Sequence, residues 1–178
     1  MILTLGFSLN ISIAQKYTTK TGTIRFFSVA PAENIEAFNH QVNSAIDIVT
    51  GDFVFRVLMK GFRFEKALMQ EHFNENYVES HKFPNAKFIG TIDEMKELDL
   101  TKNGIYEVSV SGNLTIHGIT KKVKEKGTLE VKYGIILAHS VFFVKVADYE
   151  IKIPKTVMKN IAESIEVTVD VSLTALNN

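Results

Sequence analysis

Apolar and polar residues alternate along most of the chain with a period of two, the pattern of strands that bury one face and wet the other. In the segment 106–118, Tyr106, Val108, Val110, Leu114 and Ile116 share one face, while Glu107, Ser109, Ser111, Asn113, Thr115 and His117 share the other. Ile165, Val167, Val169, Val171 and Leu173 repeat the pattern against Glu166, Thr168, Asp170, Ser172 and Thr174. With 23–28, 42–49, 53–60, 87–92, 128–133 and 138–147, eight strands are predicted. Glycine-bearing turns at Thr50-Gly51-Asp52, Lys102-Asn103-Gly104, Lys126-Gly127 and Tyr133-Gly134 separate them, and short turns make neighbours antiparallel. Three segments break the period and predict short helices: 32–40, 65–77 and 155–164.

Eight antiparallel strands in one domain must bury their apolar face, and closing the sheet also removes its edges, so an all-β barrel or sandwich follows. Alternating segments of up to about 13 residues favour the tilted strands of a barrel. A barrel of eight strands is just wide enough to be filled by side chains or to hold one small ligand. A membrane barrel would invert the faces, apolar outward. Amphipathic helices and loops rich in Lys and Glu suit instead a capped barrel that is not membrane-embedded.

At 178 residues, with no linker, low-complexity tract or repeat, residues 15–178 read as a single domain. The stretch Met1–Ala14 is apolar but too short to span a bilayer. It ends in Ser12-Ile13-Ala14 before the polar run 15–20, which fits the remnant of a signal peptide cleaved near Gln15; the other reading is a first strand of the mature fold. Twenty Lys and Arg balance twenty Asp and Glu, which argues against nucleic acid and electrostatic membrane binding as partners. Zero Cys excludes disulfides, thiolate zinc sites and thiol catalysis. Phe is over-used, with 13 residues and no Trp.

The five histidines match no zinc motif, no nucleophile elbow or phosphate loop occurs, and no catalytic residue, metal or cofactor is expected. His72, with Glu75 at i+3 on the same helical face, is the one candidate for an enzymatic reading, against a half-exposed helix residue beside Leu68. His117 and His139 fall on polar faces and are expected in solvent. The apolar faces bring together Phe26, Phe53, Phe55, Val57, Met59, Phe88, Val108, Val110, Leu114, Ile116, Leu129, Val131, Phe142, Val144, Val167 and Val169. Linings and cores share a composition, so these residues either fill the barrel or line an apolar pocket. Leu68, Met69, Phe73 and Tyr77 on the helix 65–77 are the candidate lid.

The run Gly112-Asn113-Leu114-Thr115-Ile116-His117-Gly118-Ile119-Thr120-Lys121-Lys122-Val123 resembles the hallmark strand and turn of the YceI-like family. The stretch 61–77, continuing through Lys82-Phe83-Pro84-Asn85 to Phe88, is similar to that family's His-containing helix and aromatic-Pro turn, although Gln70-Glu71 stand where many relatives carry Arg-Asp. The C-terminal run from Val141 to Leu173 is similar as well. The resemblance implies a lipocalin-like eight-stranded barrel, export to the periplasm or secretion, and a long-chain ligand such as a polyisoprenoid, an isoprenoid quinone or a fatty acyl lipid in the lumen. Dimers are frequent in the family, so a homodimer is implied too. It brings no catalytic residues. A barrel with a filled core acting through its surface remains the alternative.

Overall fold

The computed structural model describes residues 16–29, 33–154 and 161–176. Eight long antiparallel strands close into a barrel: β1 (Lys16–Ser28), β2 (Ile35–Asp47), β3 (Asp52–Leu58), β5 (Asn85–Ile92), β6 (Gly104–Ile116), β7 (Ile119–Lys132), β8 (Ile135–Lys145) and β9 (Ser164–Ala175). Each pairs with the next and β9 returns to β1. The two-residue β4 (Arg63–Phe64) adds to β2 beyond the reach of β3, through Ala37 opposite Phe64. Among the described residues one short α-helix, α1 (Ala67–His72), runs on into a π-helical turn Phe73–Tyr77.

The expected helix 32–40 is instead the first half of β2. Its inward positions are Ala37 and Asn39, both fully buried, followed after a one-residue shift by Val42, Ser44 and Ile46. Small and polar residues on the inner face, together with that shift, hide the period of two. Asn39 is tolerated there because both ends of its amide are satisfied: Nδ2 donates to the Leu58 carbonyl at 2.8 Å and Oδ1 accepts from the Gln41 amide at 2.8 Å. The helix expected at 155–164 lies mainly outside the described residues; Ile161–Glu163 are not helical and Ser164 opens β9.

Lys126-Gly127 is no turn, because β7 runs unbroken from Ile119 and pairs with β6 from Ile119 through Val131. The chain reverses earlier, at His117-Gly118, where both φ angles are positive (50° and 77°), and again at Tyr133-Gly134 (51° and 78°). Two consecutive positive-φ residues are the tight hairpin geometry that matches strand twist. β3 likewise ends at Leu58, and Met59 sits in a 3₁₀ turn, Met59–Gly61.

One end of the barrel is solid. Val42, Ile46, Val131, Ile136, Val171 and Leu173 are buried there, and Gly22 admits the close approach of Val171, whose Cγ1 would collide with any Cβ at that position. Toward the other end the inward residues Val110, Leu114, Ile116, Phe142, Val167 and Val169 are only partly buried, although alternation directs them into the barrel. Inward side chains that remain accessible mean that this half is hollow.

Candidate ligand site

The hollow half encloses a cavity of about 560 Å³, within the roughly 300–1,000 Å³ of pockets that hold small ligands. Strand pairing builds its walls. Phe53, Phe55 and Val57 of β3 stand beside Phe88 of β5, which pairs in turn with Leu114 of β6. Val108, Val110 and Ile116 of β6, Leu129 of β7, Phe142 and Val144 of β8, and Val167 and Val169 of β9 continue the lining, with Phe26 from β1 and Met59 from the 3₁₀ turn. Every residue expected on the lumen face lies on the cavity except Val131, which is packed in the solid end.

The Phe excess has two structural destinations. Phe26, Phe62, Phe64 and Phe73 form a cluster with ring centroids 5.0–5.5 Å apart in tilted and edge-on contacts. Such aromatic pairs contribute about 0.5–1.5 kcal/mol beyond their area, and this cluster pins the helical segment over the hollow end. Phe53, Phe55 and Phe88 form a second group deeper in the wall, 5.5 and 6.2 Å apart. Leu68, Met69, Phe73 and Tyr77 of the helical segment all face the cavity, and burial pushes the Tyr77 phenol above its ordinary pKa. His72 lies on the same rim, and among the described residues no group of His, Asp and Glu is placed to hold a metal ion.

His117 departs from expectation. It is not solvated: its side chain is 12% exposed and joins the β6–β7 hairpin to two other segments. Its Nδ1 lies 3.0 Å from the Tyr149 carbonyl and its Nε2 3.1 Å from the Glu79 carboxylate, with Phe83 edge-on at 4.6 Å. Both partners are acceptors, so both bonds form together only when both ring nitrogens carry hydrogen. Lys82 and then His117 hold the Glu79 carboxyl below its usual range. His139, as expected, faces outward, 2.7 Å from Asp170.

One residue escapes the sequence reading altogether. β7 and β8 pair only from Thr128 to Lys132 and from Ile135 to His139. Beyond that β7 holds only to β6 and β8 only to β9, leaving a gap crossed by a bond from the Ser140 hydroxyl to the Lys126 carbonyl at 2.6 Å. Glu125 of β7 lines the cavity at this gap, and burial raises its carboxyl pKa. The signal was present as the alternation Val123, Glu125, Gly127, Leu129, Val131, but reading a turn at Lys126-Gly127 cut it short.

The model of the YceI-like domain matches residues 8–173. The chain belongs to the YceI-like family. Among solved structures, the YceI-like fold here is similar to a polyisoprenoid binding domain from Saccharophagus degradans implicated in plant cell wall breakdown, at a TM-score of 0.78 and 14% identity, covering 92% of this chain and 100% of that one. BcnA of Burkholderia cenocepacia is similar at a TM-score of 0.70 and 14% identity, with 86% and 96% covered. A YceI protein of Campylobacter jejuni follows at 0.56 and 13%, with 96% and 91% covered. No curated protein matches the chain. At these identities the structural likeness establishes the closed eight-stranded YceI-like barrel and nothing finer.

Proposed function

We propose that this YceI-like barrel binds, stores or carries one long-chain amphiphile, a polyisoprenoid, an isoprenoid quinone or a fatty acyl lipid, without catalysing a reaction on it. The observation that carries the reading is the hollow of about 560 Å³ whose lining residues are mostly apolar. Its walls offer a chain mainly apolar contact, and each CH₂ removed from water contributes about 0.8 kcal/mol, so ten methylenes gain roughly 8 kcal/mol before the cost of ordering the chain. Membership of the YceI-like family and the polyisoprenoid binding named for the Saccharophagus relative support the same reading. The helical segment 67–77 is the lid in this scheme, since it covers the hollow end through aromatic contacts and no strand pairing.

Export goes with this function. The apolar stretch Met1–Ala14 followed by a polar run supports a periplasmic or secreted protein, and its residues lie outside those described. No described helix is long and apolar enough to cross a membrane. N-terminal sequencing of protein from its native host, starting at or near Gln15, tests export. The binding reading is tested by native mass spectrometry and solvent extraction of protein purified without detergent. The expected result is a single bound long-chain molecule per barrel; empty protein that also takes up no long-chain probe after purification overturns it.

A further inference from the structure

The lining of the lumen is mostly apolar; its charged residues and histidines are the ion-paired Glu33 and Lys66 with His72 at the lid segment, Lys87 on β5, and Glu125, Lys126 and His139 beside the gap between β7 and β8. Leu129 and Val131 are buried on the inner face of β7, and with a period of two the same face carries Glu125. Glu125 lines the cavity beside the gap between β7 and β8, where Ser140 of the facing strand also lines it. Among the described residues no hydrogen bond or ion pair reaches its carboxyl; burial raises its pKa, and its charge adds to burial and Asp148 in raising that of the Tyr149 phenol. Lys126 and His139 also border the cavity at this gap. Lys126 follows in sequence and is exposed, while His139 across the gap is bonded to Asp170 on the outer surface. A carboxyl drawn part-way out of water without a partner costs free energy that nothing in the barrel recovers. A ligand can recover it, because a chain lying in the hollow brings its polar end to this gap, where both Glu125 and solvent are within reach.

We propose that Glu125 receives the polar end of the bound amphiphile, and that this end is a hydrogen-bond donor, with a cationic amine favoured over an anionic carboxylate or phosphate. The assignment rests on the lumen-binding reading above. A carboxylate only accepts hydrogen bonds, so it rewards N–H and O–H head groups and repels an anionic one. The chain's formal net charge is zero, so the molecule as a whole exerts no comparable preference. Apolar walls then set how long a chain is held, and this single side chain sets which head group it carries.

The test uses the full delipidated chain and a neutral fluorescent long-chain probe, displaced by hexadecylamine, hexadecanol and hexadecanoate, each below its micellar concentration. The expected order is amine, then alcohol, then acid, with at least about tenfold between the extremes, as befits one charge-assisted contact. Glu125→Gln should bring the three within about threefold of one another while the neutral probe binds as before, which also shows that the variant is folded. Glu130→Gln, one position out of phase on the same strand, should leave the order intact. Displacement that ignores the head group in the wild type, or an order that survives Glu125→Gln, overturns the assignment and leaves lumen binding standing. Failure of the neutral probe to bind the wild type at all overturns both.

Discussion

Replacing Leu114 by Trp separates a hollow barrel from a filled one, because the same added bulk has opposite consequences in the two. Leu114 points inward from β6, pairs with Phe88 of β5, and lines the cavity while remaining only partly buried. Trp carries about six more heavy side-chain atoms than Leu, so in the hollow it occupies the place of up to about six chain carbons; at about 0.8 kcal/mol each this removes roughly 5 kcal/mol of ligand affinity. At 1.4 kcal/mol per decade that is on the order of a thousand-fold weaker binding. The empty variant should be as stable as the empty wild type, or slightly more so, since the indole buries apolar area that water otherwise touches. In a close-packed core the same substitution forces neighbours off their rotamers and costs about 1–3 kcal/mol. Urea unfolding of delipidated protein gives the stability, and displacement of a long-chain probe gives the affinity. Loss of stability together with unchanged probe binding would refute the argument that the accessible inward residues mark a ligand space. Val110→Trp, one inward position further along β6 beyond Gly112, should behave alike.

Three further perturbations probe the frame around the lumen. Asn39→Ala removes the fully buried amide that binds the part-buried Leu58 carbonyl and Gln41 amide, and should lower the urea midpoint by the equivalent of about 0.5–1.5 kcal/mol for each hydrogen bond lost. Gly112 pairs with Gly90, and a Cβ on Gly112 would stand 2.5 Å from the Ile89 carbonyl and 2.8 Å from the Phe88 ring; Gly112→Ala should therefore destabilise by about 1–3 kcal/mol and lower probe affinity by displacing Phe88, whereas Gly134→Ala meets no neighbour and loses only what its positive φ imposes. Glu79 has a folded-state pKa below its ordinary value of 4.5, so its contribution is complete above that value and is lost as pH falls through the lowered one. Thermal melts from pH 7 to pH 2 should show a shallower acid limb for Glu79→Gln, and equal limbs would mean that the His117 latch contributes nothing.

How much of this was legible in the sequence depends on what each strand places inside. β6 and β9 were plain because their inward positions are branched aliphatics and their outward ones polar, so the pleat printed its period directly. The first half of β2 was not, because Ala37 and Asn39 face inward and a one-residue shift precedes Val42. His117 was misplaced for a related reason. A period-two reading carried the strand through it, but a turn residue with positive φ projects from neither face, and its partners Glu79 and Tyr149 are separated from it by about thirty to forty positions. The hollow itself left no trace in residue type. Val, Leu and Phe stand inside a packed end and an empty end alike, and what differs is whether opposite walls meet.

Gly127 shows why the most informative residue was also the most misleading. It reads as a turn, yet it lies within β7, where a Cβ would come 2.6 Å from the carbonyl of His139. That close approach falls one residue beyond the last β7–β8 pair, Thr128 with His139, where the two strands begin to part. A side chain at this point would push β8 away before the final pair could form, so glycine fixes where the gap starts. It also leaves Glu125, two residues earlier in the chain, as the first inward side chain beside unpaired strand. The interruption in the hydrophobic pattern and the interruption in the sheet are therefore the same event. Gly127→Val should fray the Thr128–Lys132 pairing, seen as faster amide exchange in Leu129 and Val131 relative to Val108 on β6. Unchanged protection at both residues would detach the glycine from the position of the opening.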